Sequence, residues 1–230
     1  MKDASKERVE TETKDWVYMA ELPEIWHGFR LERLMRIEGD VYDLYRYVNP
    51  DSHRSATVYF HEETKEYKVR VKIGLIEFCR MEYITGSFES FDHLLREQFD
   101  QMLQDLSRFN PDHISSIAKE KHFMEWEYGR SLPKELEGFG LFIHPSEPLE
   151  ITNGSYIIID YCDFAVESNF IIYYNMYRDE FSGEARIHNI PDVSYDFDST
   201  ELEELEEKLN THLVARLREI RARAEKEVAP

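Results

Sequence analysis

The sequence is poor in the residues that build most chemical sites, with only 2 cysteines and 9 glycines in 230 residues. Cys79 and Cys162 belong to neither a CxxC motif nor a Cys/His cluster, so we predict neither a zinc site nor a secreted disulfide framework. Glycine-rich phosphate loops, the GxSxG nucleophile motif and the histidine spacings of metal sites are missing as well. We therefore predict no cofactor, no metal and no catalytic residue, and we favour a non-enzymatic protein.

Long apolar runs are also missing. No run approaches the roughly 20 apolar residues that a helix needs to span a bilayer. The charged segment at the start of the sequence lacks the apolar core of a signal peptide. These features predict a cytoplasmic protein that does not bind a membrane.

Positive charge is scarce relative to negative charge. The chain has 28 Lys and Arg against 47 Asp and Glu, which gives a formal net charge of −19 at pH 7. Such a charge repels nucleic-acid phosphates and attracts basic proteins. We therefore expect a basic protein partner and no nucleic acid, although a plain acidic protein has the same composition.

The sequence does contain an internal repeat. The segment DWVYMAELPEIWHGFRL, at 15–31, returns as EWEYGRSLPKELEGFGL, at 125–141. Chance rarely gives so many matches in one register, so we interpret the chain as a tandem duplication and the shared residues as a structural motif. Aligned without a gap, the copies share Trp16/Trp126, Tyr18/Tyr128, Leu22/Leu132, Pro23/Pro133, Gly28/Gly138, Phe29/Phe139 and Leu31/Leu141.

Hydrophobic periodicity predicts the same series of elements after each copy. In the first, residues 67–73 alternate between apolar and charged side chains, as in a half-buried strand. The apolar residues of 91–106 then recur with helical spacing, and Ser87 or Ser90 is the predicted cap of this helix. The second copy ends in the same way, with a helical stripe over 202–220.

The predicted fold is therefore α+β, a tandem duplication of a unit of about four or five antiparallel strands followed by one amphipathic helix. We expect a pseudo-twofold relation between the units, in a monomer or a homodimer. The predicted segments are a disordered charged tail at 1–14, a first repeat at 15–110, a connector with a short helix at 111–124, a second repeat at 125–224 and a tail at 225–230.

Two groups of residues in the first repeat are candidate binding residues. Tyr45 and Tyr47 are expected on the outer face of the sheet, where tyrosines suit protein binding. Lys68, Arg70 and Lys72 share one face of their strand. They contact an acidic partner or, in the reading that we prefer, pair with carboxylates of the next strand.

The second repeat adds Arg186 and His188 to the candidates. We align Arg186 with Arg70, and we expect His188 to face the same way from an exposed strand position. The acidic residues at 192–198 lack the EF-hand pattern, so we interpret them as a solvated loop that ends in a helix cap at Asp198 or Ser199.

These observations favour an acidic intracellular binding protein that uses a sheet face or the groove between the repeats. An inhibitor or immunity-type protein for a basic partner has this kind of charge. The alternative is a small-molecule-binding protein or an enzyme with its site in the inter-repeat cleft. A homo-oligomer that pairs through an exposed sheet face is a third hypothesis.

Overall fold

The computed structural model describes residues 2–227. The chain divides into two compact units, of which unit 1 ends at Arg108 and unit 2 begins at Phe109. Each unit has one antiparallel sheet and one long helix that packs on it. The predicted α+β fold, duplicated in tandem, is therefore confirmed. The pseudo-twofold relation stays a prediction.

Unit 1 begins with the short helices α1 (Asp3–Thr13) and α2 (Val17–Glu21). Its sheet is a six-stranded meander, in which each strand pairs with the next along the chain. The strands are β1 (Ile25–Trp26), β2 (Phe29–Glu38), β3 (Val41–Asn49), β4 (Arg54–His61), β5 (Glu66–Ile73) and β6 (Ile76–Thr85). Helix α3 (Phe88–Ser107) packs its apolar stripe on this sheet, and the predicted cap is Ser87, whose hydroxyl accepts from the Ser90 N–H.

Unit 2 repeats this order. A 3-10 helix (Pro111–His113), α4 (Ser116–Glu120) and α5 (Glu127–Arg130) precede the sheet. The strands are β7 (Glu135–Leu136), β8 (Phe139–Ile143), β9 (Leu149–Glu150), β10 (Ser155–Asp163), β11 (Ser168–Asn175), β12 (Glu180–Ile187) and β13 (Ile190–Ser199). Helix α6 (Leu202–Glu227) follows, and its leucine stripe lies in the core of the unit.

The repeated residues make the same hydrogen bonds in both units. In each unit a tyrosine of the sheet, Tyr47 or Tyr161, donates to the carbonyl of the matched proline, and the matched tryptophan donates to a carboxylate of the long helix. The donor–acceptor pairs are Tyr47–Pro23 at 2.7 Å, Tyr161–Pro133 at 2.8 Å, Trp16–Asp92 at 2.6 Å and Trp126–Glu206 at 3.3 Å. The repeated residues therefore make the same contacts in both units, and these contacts join the segment ahead of each sheet to a later strand and to the long helix.

The matched leucines of the motif lie in the core of each unit. Leu22 is 5% exposed and Leu132 is 8% exposed. Leu132 comes just after α5, and its side chain belongs to the buried cluster of unit 2 together with Trp126 and Phe139. Its role in the motif is to pack the core of unit 2, as Leu22 packs that of unit 1.

The Gly-Phe pairs of the repeat mark a two-residue hairpin turn in each unit. His27 and Gly28 have φ angles of +48° and +85°, and Glu137 and Gly138 have +52° and +81°. Two consecutive positive φ angles are typical of a type I′ turn, and glycine adopts the second without steric cost. The turn predicted before Phe29 is thus present in both copies.

The N-terminal segment is helical, which corrects the prediction of a disordered tail at 1–14. Val9 is the buried apolar residue of α1, so the helix has almost no apolar period by which the sequence could predict it. Polar side chains hold it on the sheet instead. The Arg8 guanidinium lies 5.6 Å from the centre of the Phe60 ring.

The segment at 111–124 belongs to the core of unit 2, where the sequence predicted a connector. Ile114, Ala118 and Phe123 are buried there. At the other end of the unit, α6 continues to Glu227, so the predicted tail at 225–230 begins inside a helix. The last residues of that tail, 228–230, lie outside the described residues.

Candidate functional site

Tyr45 and Tyr47 are buried, which corrects their predicted place on an exposed sheet face. A β-bulge between Asp43 and Tyr45 interrupts the alternation of β3. Both tyrosines therefore face α3, where the Phe99 ring lies 6.1 Å from Tyr45 and 5.9 Å from Tyr47, centre to centre. They stabilise the core of unit 1 and offer no binding surface.

Lys68, Arg70 and Lys72 project from one face of β5, as their alternation predicts. The Lys68 ammonium lies 3.0 Å from a Glu66 carboxylate oxygen, and the Arg70 guanidinium donates to Asp43 at 2.9 Å. Two of these three cations therefore already contact carboxylates of unit 1. That arrangement weakens the case for this row as a surface for an acidic partner.

Arg186 and His188 occupy positions other than those predicted. Tyr47 and Tyr161 are equivalent because each donates to the matched proline carbonyl. From them the strand pairing runs Tyr47–Ala56–Val71 in unit 1 and Tyr161–Phe170–Ala185 in unit 2. Arg186 is therefore the counterpart of Lys72 and not of Arg70. His188 lies in the turn after β12, with a φ of +49°, and its Nε2 is 3.1 Å from the Ala224 carbonyl oxygen.

The acidic residues at 192–198 form part of the edge strand β13, which corrects the prediction of a loop. Asp192 accepts a hydrogen bond from Arg216 of α6 at 3.0 Å and also pairs with Arg223. Asp198 and Ser199 lie in β13 and not in a helix cap, because α6 begins at Leu202.

A groove opens in unit 2 where α4, the turn after β11 and the start of α6 meet. We call it the unit 2 groove; its volume is about 570 Å³. Its carboxylates come from Glu120, Asp179, Glu201 and Glu203. Its apolar lining includes Ile117, Met176 and Leu202. Lys121, His122 and Tyr174 complete the lining.

Asp179 is held in the groove by hydrogen bonds from two side chains. It lies in a tight turn with a φ of +53°, a conformation that aspartate tolerates better than most residues. Its Oδ1 accepts from the Lys121 ammonium at 2.8 Å and from the Tyr174 hydroxyl at 3.0 Å. The hydrogen bond from Lys121 lowers the pKa of Asp179, so this carboxylate is ionised at neutral pH.

The charge of the groove is unbalanced. Four carboxylates line it, and Lys121 supplies the one side-chain ammonium of the lining. Glu120, Glu201 and Glu203 are exposed to solvent. Carboxylates around an apolar patch suit a lysine or arginine side chain, whose aliphatic stem packs on apolar atoms while its head group stays solvated.

Sequence reasoning missed this site. Its residues come from 117–122, 174–179 and 201–203, and no spacing within one segment connects them. The excess of acidic residues was the available signal, but with 47 of them it singled out none. Only the packing of α4 and α6 against the end of β11 brings them together.

Within residues 2–227, no cluster of three or more His, Cys, Asp or Glu side chains has an arrangement that could hold a metal ion. In the same part of the chain, no helix is both long enough and apolar enough to cross a membrane. No protein-family model, curated protein or solved structure matches this chain.

Proposed function

We propose that this chain is a non-enzymatic, acidic binding protein, and that a basic protein partner docks in the unit 2 groove. The observation that carries the proposal is the composition of that groove. Four carboxylates surround an apolar patch, and Lys121 supplies the one side-chain ammonium of the lining. The net charge of −19 supports it, because a long-range field of this sign speeds encounters with basic proteins.

A cytoplasmic location forms part of this proposal. The chain has only 2 cysteines in 230 residues, whereas disulfide-rich sequences are typical of secreted proteins.

The test neutralises the carboxylates of the groove and compares the result with the same change elsewhere. The groove variant carries Glu120→Gln, Glu201→Gln and Glu203→Gln. The control carries Glu63→Gln, Glu89→Gln and Glu127→Gln, whose residues are exposed and lie outside the groove. Glu89 is in the first turn of α3 as Glu203 is in the first turn of α6, so the control also removes a charge from the start of a long helix.

Each variant and the unmodified chain are immobilised and exposed to a native lysate, and retained proteins are identified by mass spectrometry. The retained protein is then purified and titrated by calorimetry at several salt concentrations. We expect a basic protein that the unmodified chain and the control retain, that the groove variant loses, and whose affinity falls as salt rises. Equal retention by the groove variant, or an affinity that salt does not change, contradicts the proposal.

A small organic cation is the second candidate ligand. The groove volume of about 570 Å³ lies within the range of small-molecule sites. Calorimetry with a polyamine such as spermidine separates the candidates. Binding of spermidine that the groove variant abolishes, with no protein retained from the lysate, favours the small ligand.

A further inference from the structure

Unit 1 holds a guanidinium of its own at the position that corresponds to one end of the unit 2 groove. Arg8 of α1 donates through Nη2 to the Gly86 carbonyl at 2.7 Å and through Nε to Glu12 at 3.1 Å. Gly86 lies just ahead of α3, next to its cap, Ser87. A side chain from the first helix of the unit therefore carries positive charge to the start of its long helix.

Unit 2 brings a cation to the matching carbonyl from a different position. Lys121, just after α4, donates to the Thr200 carbonyl at 2.9 Å. Thr200 lies ahead of α6 as Gly86 lies ahead of α3. Two basic residues from different positions thus donate to equivalent carbonyls, so the segment just ahead of the long helix contacts a cation in both units.

The side chains near these two carbonyls differ in charge. In unit 1 the turn after β4 carries Lys65, which has a positive φ of +57° and pairs with Glu62. In unit 2 the equivalent turn after β11 carries Asp179, with a φ of +53°, and its side chain is 61% exposed. A cation in unit 1 has been replaced by a carboxylate in unit 2. Lys121 alone faces the four carboxylates of the groove.

We infer that the partner binds through an arginine side chain in the unit 2 groove, and that Lys121 is the internal cation that this arginine displaces. The inference rests on the proposed function and specifies its chemistry. The arginine stem packs on Ile117, Met176 and Leu202, and its guanidinium bonds Asp179 and the carbonyl ahead of α6. Arg8 makes a related pair of contacts in unit 1, with one bond to the carbonyl ahead of α3 and one to Glu12 of its own helix.

Arginine fits this exchange better than lysine for two physical reasons. Its planar head group offers five donors, so it can bond a carbonyl and more than one carboxylate at once. It is also more weakly hydrated than an ammonium, so less hydration is lost when it replaces Lys121.

The test is an NMR titration of the isotope-labelled full chain with Nα-acetyl-arginine amide and, separately, Nα-acetyl-lysine amide. We expect shifts confined to the amides around the groove, and tighter binding of the arginine probe. Lys121→Met, which removes the competing cation, should tighten binding of the arginine probe about twofold to fivefold. Asp179→Asn, which removes the main acceptor, should weaken it by a similar factor.

Lys119→Met is the matched control, because Lys119 is also in this region but does not line the groove. This variant removes the same charge as Lys121→Met. If it tightens binding of the arginine probe equally, the gain is a general electrostatic effect, and the displacement of Lys121 is overturned. Lys121→Gln is a second variant if Lys121→Met disturbs the spectrum. Failure of both to tighten binding overturns the displacement, and equal affinity for both probes overturns the preference for arginine.

The outcomes separate this inference from the proposed function. If the arginine probe leaves the groove unperturbed while retention of the basic protein still needs Glu120, Glu201 and Glu203, the inference fails and the function stands. If retention does not need these carboxylates, the proposed function fails, and the inference fails with it.

Discussion

The segments ahead of the two matched tryptophans cover the same part of the duplicated sheet in different ways. In unit 1, α1 lies on Phe60 and Tyr67 through the Arg8 guanidinium. In unit 2, the Phe123 ring lies 5.6 Å from Tyr174. The same kind of sheet is therefore covered by a polar side chain in unit 1 and by an apolar ring in unit 2. In unit 2 Lys121 donates to the carbonyl that matches the acceptor of Arg8, and Asp179 stands where unit 1 has Lys65.

A core substitution in unit 2 should have the largest effect on stability, and it tests the contrast between the two covers. Phe123→Ala should lower the free energy of unfolding of unit 2 by about 3–5 kcal/mol, because it opens a cavity in a fully buried site. Val9→Ala should cost unit 1 only about 2 kcal/mol, since it removes fewer buried methyl groups. Hydrogen exchange measures the two units separately. Equal losses contradict the contrast between the two covers.

A second difference lies just before the equivalent tyrosines Tyr47 and Tyr161, where unit 1 has Arg46 and unit 2 has Asp160. Arg46 pairs with Glu32, whereas Asp160 is fully buried. Burial raises the pKa of Asp160 from 3.8 to about 7, and hydrogen bonds from Cys162 at 3.2 Å and Asn169 at 2.9 Å only partly oppose the rise.

Because the raised pKa favours the neutral form in the folded state, folding retains a proton that the unfolded chain has lost. The stability of unit 2 should therefore be highest below pH 3.8, as far as this group is concerned, and fall as pH rises to about 7. The total loss is at most about 4 kcal/mol. Denaturant unfolding across this range measures it, and Asp160→Asn should flatten the curve. An unchanged pH dependence in that variant contradicts the assignment.

The smallest expected effect tests the equivalence of the units. Tyr47→Phe and Tyr161→Phe each remove one hydrogen bond to a proline carbonyl, at 2.7 and 2.8 Å. Each should lower the free energy of unfolding by about 1 kcal/mol. Denaturant titrations of the two variants measure the losses, and a loss in one unit without the other contradicts the shared role of the motif.

Much of the fold could be predicted because its signals are local. The alternation at 67–73 belongs to β5, and the stripe at 91–106 belongs to α3. The turn at Gly28 and its copy at Gly138 follow from backbone conformations that glycine adopts readily. The matched motif identified the duplication without knowledge of any contact.

The wrong predictions share a different cause, which is that the deciding contact lies far along the chain. A bulge in β3 places Tyr45 inside the core. Helix α1 is held by Arg8 and Glu12, which reach the distant residues Gly86 and Tyr67. The edge strand β13 carries Asp192 because α6 supplies arginines beside it. None of these features has a period that a sequence window could detect.

The duplication, the succession of sheet and helix in each copy, and the excess of negative charge follow from the amino-acid sequence, because repeats, periodicity and composition are properties of the chain. Which carboxylates lie close to one another depends on tertiary packing. The groove joins 117–122, 174–179 and 201–203, and these segments meet only after α4 and α6 pack on the sheet. The net charge of a chain is a sum over its sequence, but the charge of one groove depends on which side chains folding brings together.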